Sequence, residues 1–431
     1  MKRILIMILA VWFMGVAPVC FAATTQVDAL IEKLVEKGLL DRQEAIKLKG
    51  EIAEDEKIIR EEGLKQSLPS WVREMKLKGD FRLRYQYEKK KGSNTNAGNT
   101  TERDRGRIRF RLGAETKVND QTKVLFGLAT GGTDPRSTNQ TLENSFELKD
   151  IRLDYAYAEY APLAWAAFLG GRMKNPLWEP GDLLWDTDIN PEGLAAKLNG
   201  KVNDRLETYL NTGVFILDEN SAASDPWIYS LQPGLKWKMN DKTSLNLATA
   251  YYGSSQVKGA ILDHSAGSNT NNGKRGLWYG LSAVSPSVEL AVKEPLRFMG
   301  LGLPYVSLLG EYVHNLPSAK SGYLGGFKLG HEKVSNRGQW QLRYFYTMLA
   351  TDAWLDIFPD SDRYGGRTGI RGNEMLFTYG LGKNWSLELD YYRTDLTTTH
   401  SDSLVKTENL FQADLRGLAA EKPISAMPPG P

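Results

Sequence analysis

Basic side chains recur at every second position in two stretches of this sequence, where they alternate with apolar and aromatic residues. Alternate residues of a β-strand point to opposite faces of a sheet, so each stretch predicts a strand with one basic face. Rows of guanidinium and ammonium groups attract anions. Three isolated arginines are expected to join this wall. The whole set is Lys76, Lys78, Arg82, Arg84, Arg107, Arg109, Arg111, Arg152, Arg172 and Arg343.

Acidic side chains near these basic residues leave a second interpretation open. Asp80, Glu115, Asp150 and Asp154 lie in or beside the same stretches, where they could pair with the arginines. Pairing would cancel much of the preference for anions. Basic and acidic groups on opposed walls would instead create a strong transverse field with little selectivity between ions.

The spacing of the reactive residues does not indicate an enzyme. The four histidines, His264, His314, His331 and His400, have no nucleophile and carboxylate at a recognisable spacing. There is no HxxxH pattern, and the one cysteine, Cys20, lies near the N-terminus. We therefore expect no catalytic residues, no metal site and no cofactor.

The alternation of apolar and polar residues extends far beyond the basic stretches. After Trp71 it recurs in segments of about ten residues, the length of a strand that crosses a membrane at a tilt. In one of them Ile151, Leu153, Tyr155 and Tyr157 share the apolar face. Strands are predicted near residues 75–88, 105–118, 122–131, 147–160, 165–173, 192–201, 205–217, 227–239, 243–252, 286–293, 304–314, 322–330, 338–348, 372–381, 385–393 and 407–418.

The connections between these segments alternate between short and long. Short ones at 119–120, 203–204 and 240–241 are Asn-Asp pairs, which suit tight hairpins. Long ones, at 92–104, 131–146, 253–281 and 350–371, are polar and rich in Gly, Ser and Asn. Outer-membrane barrels have short periplasmic turns and long external loops. With an even strand count, both ends of the barrel are predicted on the periplasmic side.

A soluble β-sandwich would also alternate, but with its apolar face turned inward. Four tryptophans beside predicted short turns favour a membrane barrel with an aromatic girdle instead. They are Trp165, Trp237, Trp340 and Trp385. An Arg or Lys at the lipid midplane costs about 2–4 kcal/mol, so the basic faces must point into a wet interior. The predicted fold is all-β and transmembrane, a closed antiparallel up-and-down barrel of about 16 strands over residues 71–418, with a C-terminal tail over 419–431.

The N-terminal part of the chain has a different pattern. Residues 1–22 have a charged start, an apolar stretch and small residues at the end, as is typical of a signal peptide. Residues 23–66 carry apolar residues at helical spacing and predict a short periplasmic helical segment of two helices. A stripe of Leu30, Leu34 and Ile46 makes coiled-coil self-association the alternative to a simple appendage.

Cleavage of this leader would leave a chain of balanced charge. Loss of Lys2 and Arg3 reduces the 54 basic residues to 52, the number of acidic ones. This balance gives no reason to expect a nucleic-acid partner. A lipid anchor at Cys20 is the alternative to plain cleavage, and Val19 disfavours it because a small residue is expected there.

Residues 174–191 form a long connection that is unusually apolar for an external loop. Water would not favour the exposure of its two tryptophans and three leucines. We predict that this loop folds into the barrel and narrows it. A loop packed over the barrel mouth or against a neighbouring subunit is the alternative. The predicted constriction residues are Trp178, Asp182, Trp185, Asp186 and Asp188.

Several runs of the sequence resemble the putative porin family, in which a signal peptide and a short helical segment precede a large barrel. The best local match is GRMKNPLWEPGDLLWDTDINPEGLAAKL, from Gly171 to Leu198, and the runs LKGDFRLRYQYE and RDRGRIRFRLGAETKV are also similar. The resemblance covers nearly the whole chain and implies passive uptake of small polar solutes. Barrels of this type usually end in an aromatic residue, whereas this chain ends EKPISAMPPGP. The terminal assembly signal is therefore expected to be absent or displaced, to Phe411.

The expected function is that of a porin in the bacterial outer membrane, for small polar or ionic solutes and with a weak anion preference. Its partners would be those solutes or ions, the lipid bilayer and copies of itself, a trimer by analogy. The alternatives are a barrel sheath around a cytochrome, and a receptor or adhesin without an open pore. Haem ligation is not indicated, and the receptor hypothesis rests on the long loops alone.

Overall fold

Sixteen long strands close into one antiparallel ring. A computed structural model describes residues 26–51, 70–92, 100–221, 224–298, 301–397 and 405–423. The strands are β1 (Lys76–Gly92), β2 (Thr100–Lys117), β3 (Thr122–Thr130), β4 (Gln140–Thr141), β5 (Ile151–Leu163), β6 (Ala166–Arg172), β7 (Glu192–Lys201), β8 (Leu206–Ile216), β9 (Trp227–Lys238), β10 (Thr243–Ser255), β11 (Ser282–Phe298), β12 (Leu301–Asn315), β13 (Lys320–Gly330), β14 (Trp340–Leu349), β15 (Ile370–Gly382), β16 (Trp385–Leu396) and β17 (Val405–Pro423).

Each long strand pairs with the next one along the chain, and β1 closes the ring by pairing with both β2 and β17. The two-residue β4 belongs to the loop after β3 and pairs with β2, so β3 pairs directly with β5. Because the ring is closed, the described strands have no unpaired edge, and their backbone N–H and C=O groups can pair with a neighbouring strand on each side. The predicted closed antiparallel barrel of sixteen strands is confirmed.

The outer face of the barrel is apolar, and on β1 the inner face is charged. In β1, Phe81, Leu83 and Tyr85 are 40%, 43% and 48% exposed, whereas Arg82 and Arg84 are 9% and 5% exposed. A soluble protein has the opposite arrangement, because water favours charge outside. The inverted arrangement fits an apolar solvent around the barrel.

The structure corrects the predicted faces of β5. A bulge shifts the register, so that Gly127 of β3 pairs with Tyr155 but the next residue pairs with Leu153. The extra residue turns Tyr155 inward, where its ring lies over Gly127 and Gly113; a Cβ at either glycine would lie 2.3 or 2.1 Å from it. Tyr157 packs on the interior apolar cluster. The prediction that Tyr155 and Tyr157 share the outer face with Leu153 was wrong, because alternation alone does not reveal a bulge.

The last strand also differs from its prediction. It runs to Pro423, past the predicted barrel end at residue 418. Its pairing with β1 continues as far as Lys76, through a register shift next to Leu77. Backbone pairing therefore prolongs the strand after its apolar alternation has ended. Residues 424–431 lie outside the described part of the chain.

The N-terminal segment is helical where it is described. Gln26–Glu36 and residues 42–51 form helices, in which Ile31 and Ala45 are buried and Ile46 is exposed. The predicted signal peptide and residues 52–66 lie outside the described residues. Among the helices that are described, none has the length and apolar character needed to span a bilayer.

Candidate functional site

One side of the barrel interior is filled by an apolar cluster. Inward side chains of β6 to β14, such as Phe215 and Tyr252, pack with Trp185 of the 174–191 loop and with Trp354 and Phe358 of the 350–369 loop. The ring centroids of Trp185 and Phe358 lie 4.2 Å apart, and those of Tyr252 and Trp354 lie 4.8 Å apart. Aromatic burial of this kind anchors both loops inside the barrel.

Hydrogen bonds tie the 174–191 loop to distant parts of the ring. Glu311 of β12 accepts bonds from two backbone N–H groups of the loop, at 2.8 and 3.1 Å. Gln232 of β9 bonds both the N–H and the carbonyl oxygen of Trp178, each at 2.8 Å. Further along the loop, Asp188 lies 3.2 Å from Arg111 of β2. The loop therefore crosses the interior from β9 and β12 to β2.

Arg363 joins the 350–369 loop to the other loop and to the wall. Its guanidinium lies 2.6 Å from Asp182 and also binds Glu374 of β15, which in turn binds Arg343 of β14. A backbone bond of 2.7 Å from Asp186 to the carbonyl of residue 358 adds to this contact. Charge-assisted bonds made by a buried guanidinium are strong and directional, so the two loops are held as one unit.

A cavity of about 340 Å³ lies between these loops and the wall formed by β14 to β17, β1 and β2. Its lining is almost entirely charged. Seven arginines and eight carboxylates contribute to it. They are Arg82, Arg84, Arg109, Arg111, Arg136, Arg343 and Arg416, and Asp182, Asp186, Asp188, Asp360, Asp362, Glu388, Asp390 and Asp414.

Most arginines of this wall are ion-paired. Arg84 binds Asp414 through two bonds of 2.7 and 2.8 Å. Arg109 and Arg111 share Asp80, at 2.8 and 2.6 Å. Pairing places opposite charges side by side, as in the interpretation of a paired wall, and leaves a small net charge facing the cavity.

The pKa values of the loop carboxylates shift in different directions. Burial alone would raise the pKa of Asp188, but Arg109, Arg111 and Arg82 outweigh it and hold that pKa at about 2. Burial and the neighbouring carboxylates raise the pKa of Asp186 well above its ordinary value. Burial also raises the pKa of Asp360, in spite of Arg363. The negative charge of the cavity is therefore smaller than its carboxylate count.

The predicted site residues divide into two groups. Arg82, Arg84, Arg109, Arg111 and Arg343 line the cavity together with Asp182, Asp186 and Asp188. The other seven lie elsewhere among the described residues. They are Lys76, Lys78, Arg107, Arg152, Arg172, Trp178 and Trp185.

The positions of this second group follow from their contacts. Arg107 bonds Gln86 and Ser137, at 3.1 and 3.3 Å. Arg152 binds Asp150 at 2.9 Å at the loop end of β5. Arg172 donates a 2.7 Å bond to the Asp154 carbonyl oxygen and pairs with Glu192 at the loop end of β6. Lys76 lies 3.9 Å from Glu115, and Lys78 is exposed near the start of β1. Trp185 is buried in the apolar cluster, and Trp178 is held by Gln232.

Sequence reasoning missed several residues of the cavity. Asp390, Asp414 and Arg416 occupy inward positions of β16 and β17, so the alternation that revealed the basic strands could have found them. Asp360 and Asp362 lie in a loop, where no periodicity indicates the direction of a side chain.

The chain matches one family model, and solved structures of similar fold are known. A family model described as putative porin matches residues 97–277 and 304–415. The chain is similar to Pseudomonas putida OprB at high pH, with 9% identity, a TM-score of 0.50, and coverage of 80% of this chain and 94% of that one. Salmonella typhi OmpF in complex with daunomycin has 12% identity and a TM-score of 0.46, and the match covers 80% of this chain and 98% of that one. The DcaP channel of Acinetobacter baumannii has 14% identity and a TM-score of 0.44, and the match covers 80% of this chain and 97% of that one.

At such identities the structural likeness concerns the fold alone, and among curated proteins no match was found. The family match is stronger evidence, because it rests on the sequence itself and extends over more than half of the chain. This chain belongs to the putative porin family.

Proposed function

We propose that this chain is a porin of the bacterial outer membrane through which small polar or ionic solutes diffuse passively. The observation that carries the proposal is a closed barrel with an apolar outer face and a charged cavity inside. Such an exterior would face lipid and such a cavity would hold water, as in known barrels of sixteen strands.

The passage would run along the charged wall and not through the centre of the barrel. The apolar cluster fills the interior on the side of β6 to β14, and the two loops border the remaining space. Asp182, Asp186 and Asp188 would lie at the narrowest point, opposite Arg82 and its neighbours. The 174–191 loop would thus act as the constriction.

A weak preference for anions is part of the proposal. Seven arginines face eight carboxylates, and burial raises the pKa of Asp186 and Asp360, which favours the uncharged form of both. A wall whose arginines exceed its charged carboxylates would favour anions only weakly, because most of those arginines are paired. A reversal potential close to zero, or displaced toward that of the cation in a salt gradient, would contradict this part.

Planar bilayers containing the purified chain test the channel itself. We expect stepwise currents that grow when residues 177–187 are deleted. Because that deletion also removes part of the apolar cluster, Thr187→Trp is the sharper variant. Thr187 is exposed and lines the cavity, so a larger side chain should reduce the step size without disturbing the packing.

Thr208→Trp provides the matched control, since Thr208 lies on the exposed face of β8 and should leave the step size unchanged. Absence of conductance from folded protein would contradict the porin and favour a receptor or adhesin. Equal step sizes for both Trp variants would contradict the constriction. Cross-linking of the protein in membranes would test the expected trimer.

A further inference from the structure

Two buried carboxylates of the cavity have oxygen atoms without a hydrogen-bond partner. Oδ2 of Asp360 has none, and its nearest cation, Arg363, lies 3.7 Å away. Oδ1 of Asp390 has none either. Each of these residues is only 9% exposed, and both line the cavity. Unsatisfied carboxylate oxygens at such depth are unfavourable unless a cation, a proton or water meets them.

The surroundings of this pair are acidic. Asp182 and Glu374 add two further carboxylates, while the nearby cations are Arg343 and Arg363. Both guanidiniums are already engaged with Glu374, and Arg363 also with Asp182. The part of the cavity at β16 and the 350–369 loop therefore has carboxylate oxygens that its own arginines do not satisfy.

On β1 and β17 the unsatisfied groups are donors and not acceptors. Arg82 and Arg416 are direct neighbours in the register of these strands, and the Nε atom of each is buried without a partner. The other contacts of Arg82 are Asn139 at 2.7 Å and Asp414 at the longer distance of 3.5 Å. Arg82 is 9% exposed and lines the same cavity as Asp390. Arg416 lies 3.2 Å from Glu388, so each of the two arginines has one ion pair and, beside it, a buried Nε–H donor without a partner.

We propose that the cavity recognises zwitterionic solutes, such as free amino acids and very short peptides, with Asp360 and Asp390 meeting the ammonium group and Arg82 and Arg416 meeting the carboxylate. A simple anion would be attracted by the two arginines and repelled by the two carboxylates. A simple cation would be attracted by the carboxylates and repelled by the arginines. A neutral solute would satisfy neither pole with charge. This inference rests on the proposed porin function and adds a solute class to it.

The pKa of Asp360 is consistent with this role. Burial raises its pKa more than Arg363 lowers it, and Asp362, Asp182 and Glu374 raise it further. A bound ammonium group would act in the opposite direction and favour the charged carboxylate.

Four solutes of nearly equal size and different charge provide the test. Alanine is zwitterionic, lactamide neutral, lactate anionic and alaninamide cationic near neutral pH. Their efflux is measured from phospholipid vesicles that contain the full mature chain. We expect alanine to leave faster than lactamide by up to about tenfold, the factor that corresponds to about 1.4 kcal/mol of binding free energy.

Variants of each pole should change the order of solutes in opposite ways. Asp390→Asn should lower the ratio of alanine to lactate, and Arg82→Gln should lower the ratio of alanine to alaninamide. A merely structural defect would change all four solutes together. Asp204→Asn is the matched control, because Asp204 lies in an exposed turn and its side chain is 96% exposed.

The outcomes separate the inference from the function on which it rests. Lactamide efflux above that of protein-free vesicles, with alanine no faster, would overturn zwitterion recognition and leave the porin intact. Equal changes of all four solutes in both variants would also overturn it. If none of the four solutes left vesicles with folded barrel faster than it left protein-free vesicles, the porin proposal itself would be overturned.

Discussion

At the scale of single residues, Asp188 shows how the cavity wall depends on charge. Its carboxylate accepts bonds from the backbone N–H and the hydroxyl of Thr138, at 3.1 and 2.9 Å, and lies 3.2 Å from Arg111. Arg109 and Arg82 add to the positive field around it. Together with Asp80 and Asp414, Asp188 thus offsets the repulsion among these three arginines.

The depressed pKa of Asp188 predicts loss of stability in acid. With a folded-state pKa of about 2 against an ordinary value of 3.8, its ionised form stabilises the fold by about 2 kcal/mol. This contribution is present above pH 4 and is lost as the pH falls toward 2. Asp188→Asn should therefore unfold more readily in denaturant than the wild type above pH 4, and the two should converge near pH 2.

Unfolding in detergent micelles at several pH values measures this difference. Asp204→Asn, at an exposed turn, should follow the wild type throughout. A gap between Asp188→Asn and the wild type that stays constant down to pH 2 would mean that Asp188 contributes through packing and not through charge.

At the scale of elements, strands and loops differed in how far the sequence could predict them. The strands were predictable because a period of two is imposed on every strand with lipid on one side and water on the other. The apolar composition of the 174–191 loop indicated burial but not its partners. Arg363 meets Asp182 across 181 residues of sequence, and no local pattern encodes such a contact. The bulge in β5 was equally hidden, since it changes the face of Tyr155 without changing the composition.

The anchoring of the loops can be tested through Trp354. It is fully buried, and its Nε1–H donates a 2.8 Å bond to the Leu184 carbonyl of the other loop. Trp354→Ala should destabilise the packing by about 3–5 kcal/mol, as for large-to-small changes at buried aromatic sites. We expect faster cleavage of the 350–369 loop by added protease and noisier single-channel currents.

Trp165→Ala is the comparison for this variant, because it removes the same ring from an exposed turn. Its loops should resist protease like those of the wild type. Quiet currents and full protease resistance in Trp354→Ala would show that the ion pairs of Arg363 hold the loops without the aromatic cluster.

At the scale of the whole molecule, the distribution of polarity sets the environment of the barrel. Apolar residues are exposed along the outer face, whereas arginines and carboxylates are buried inside. If lipid surrounds the barrel, as proposed, the rule that governs soluble proteins is reversed, and an inward guanidinium costs less free energy than an outward one. Inside the barrel, the charged cavity lies on one side and the apolar cluster on the other.

An arginine placed on the outer face measures this reversal directly. Leu83 lies near the middle of β1 and is 43% exposed, and Val202 lies at a short turn and is 60% exposed. If lipid surrounds the barrel, Leu83→Arg should cost about 2–4 kcal/mol of folding free energy and Val202→Arg about 0–1 kcal/mol. If water surrounded it, both changes at exposed sites would stay within about 0.5 kcal/mol of zero.

Equilibrium folding in phospholipid vesicles with a denaturant measures both values, and equal small costs would contradict a membrane-facing exterior. A large penalty at residue 83 alone would locate the lipid midplane along β1 and, through the strand register, on the neighbouring strands β2 and β17.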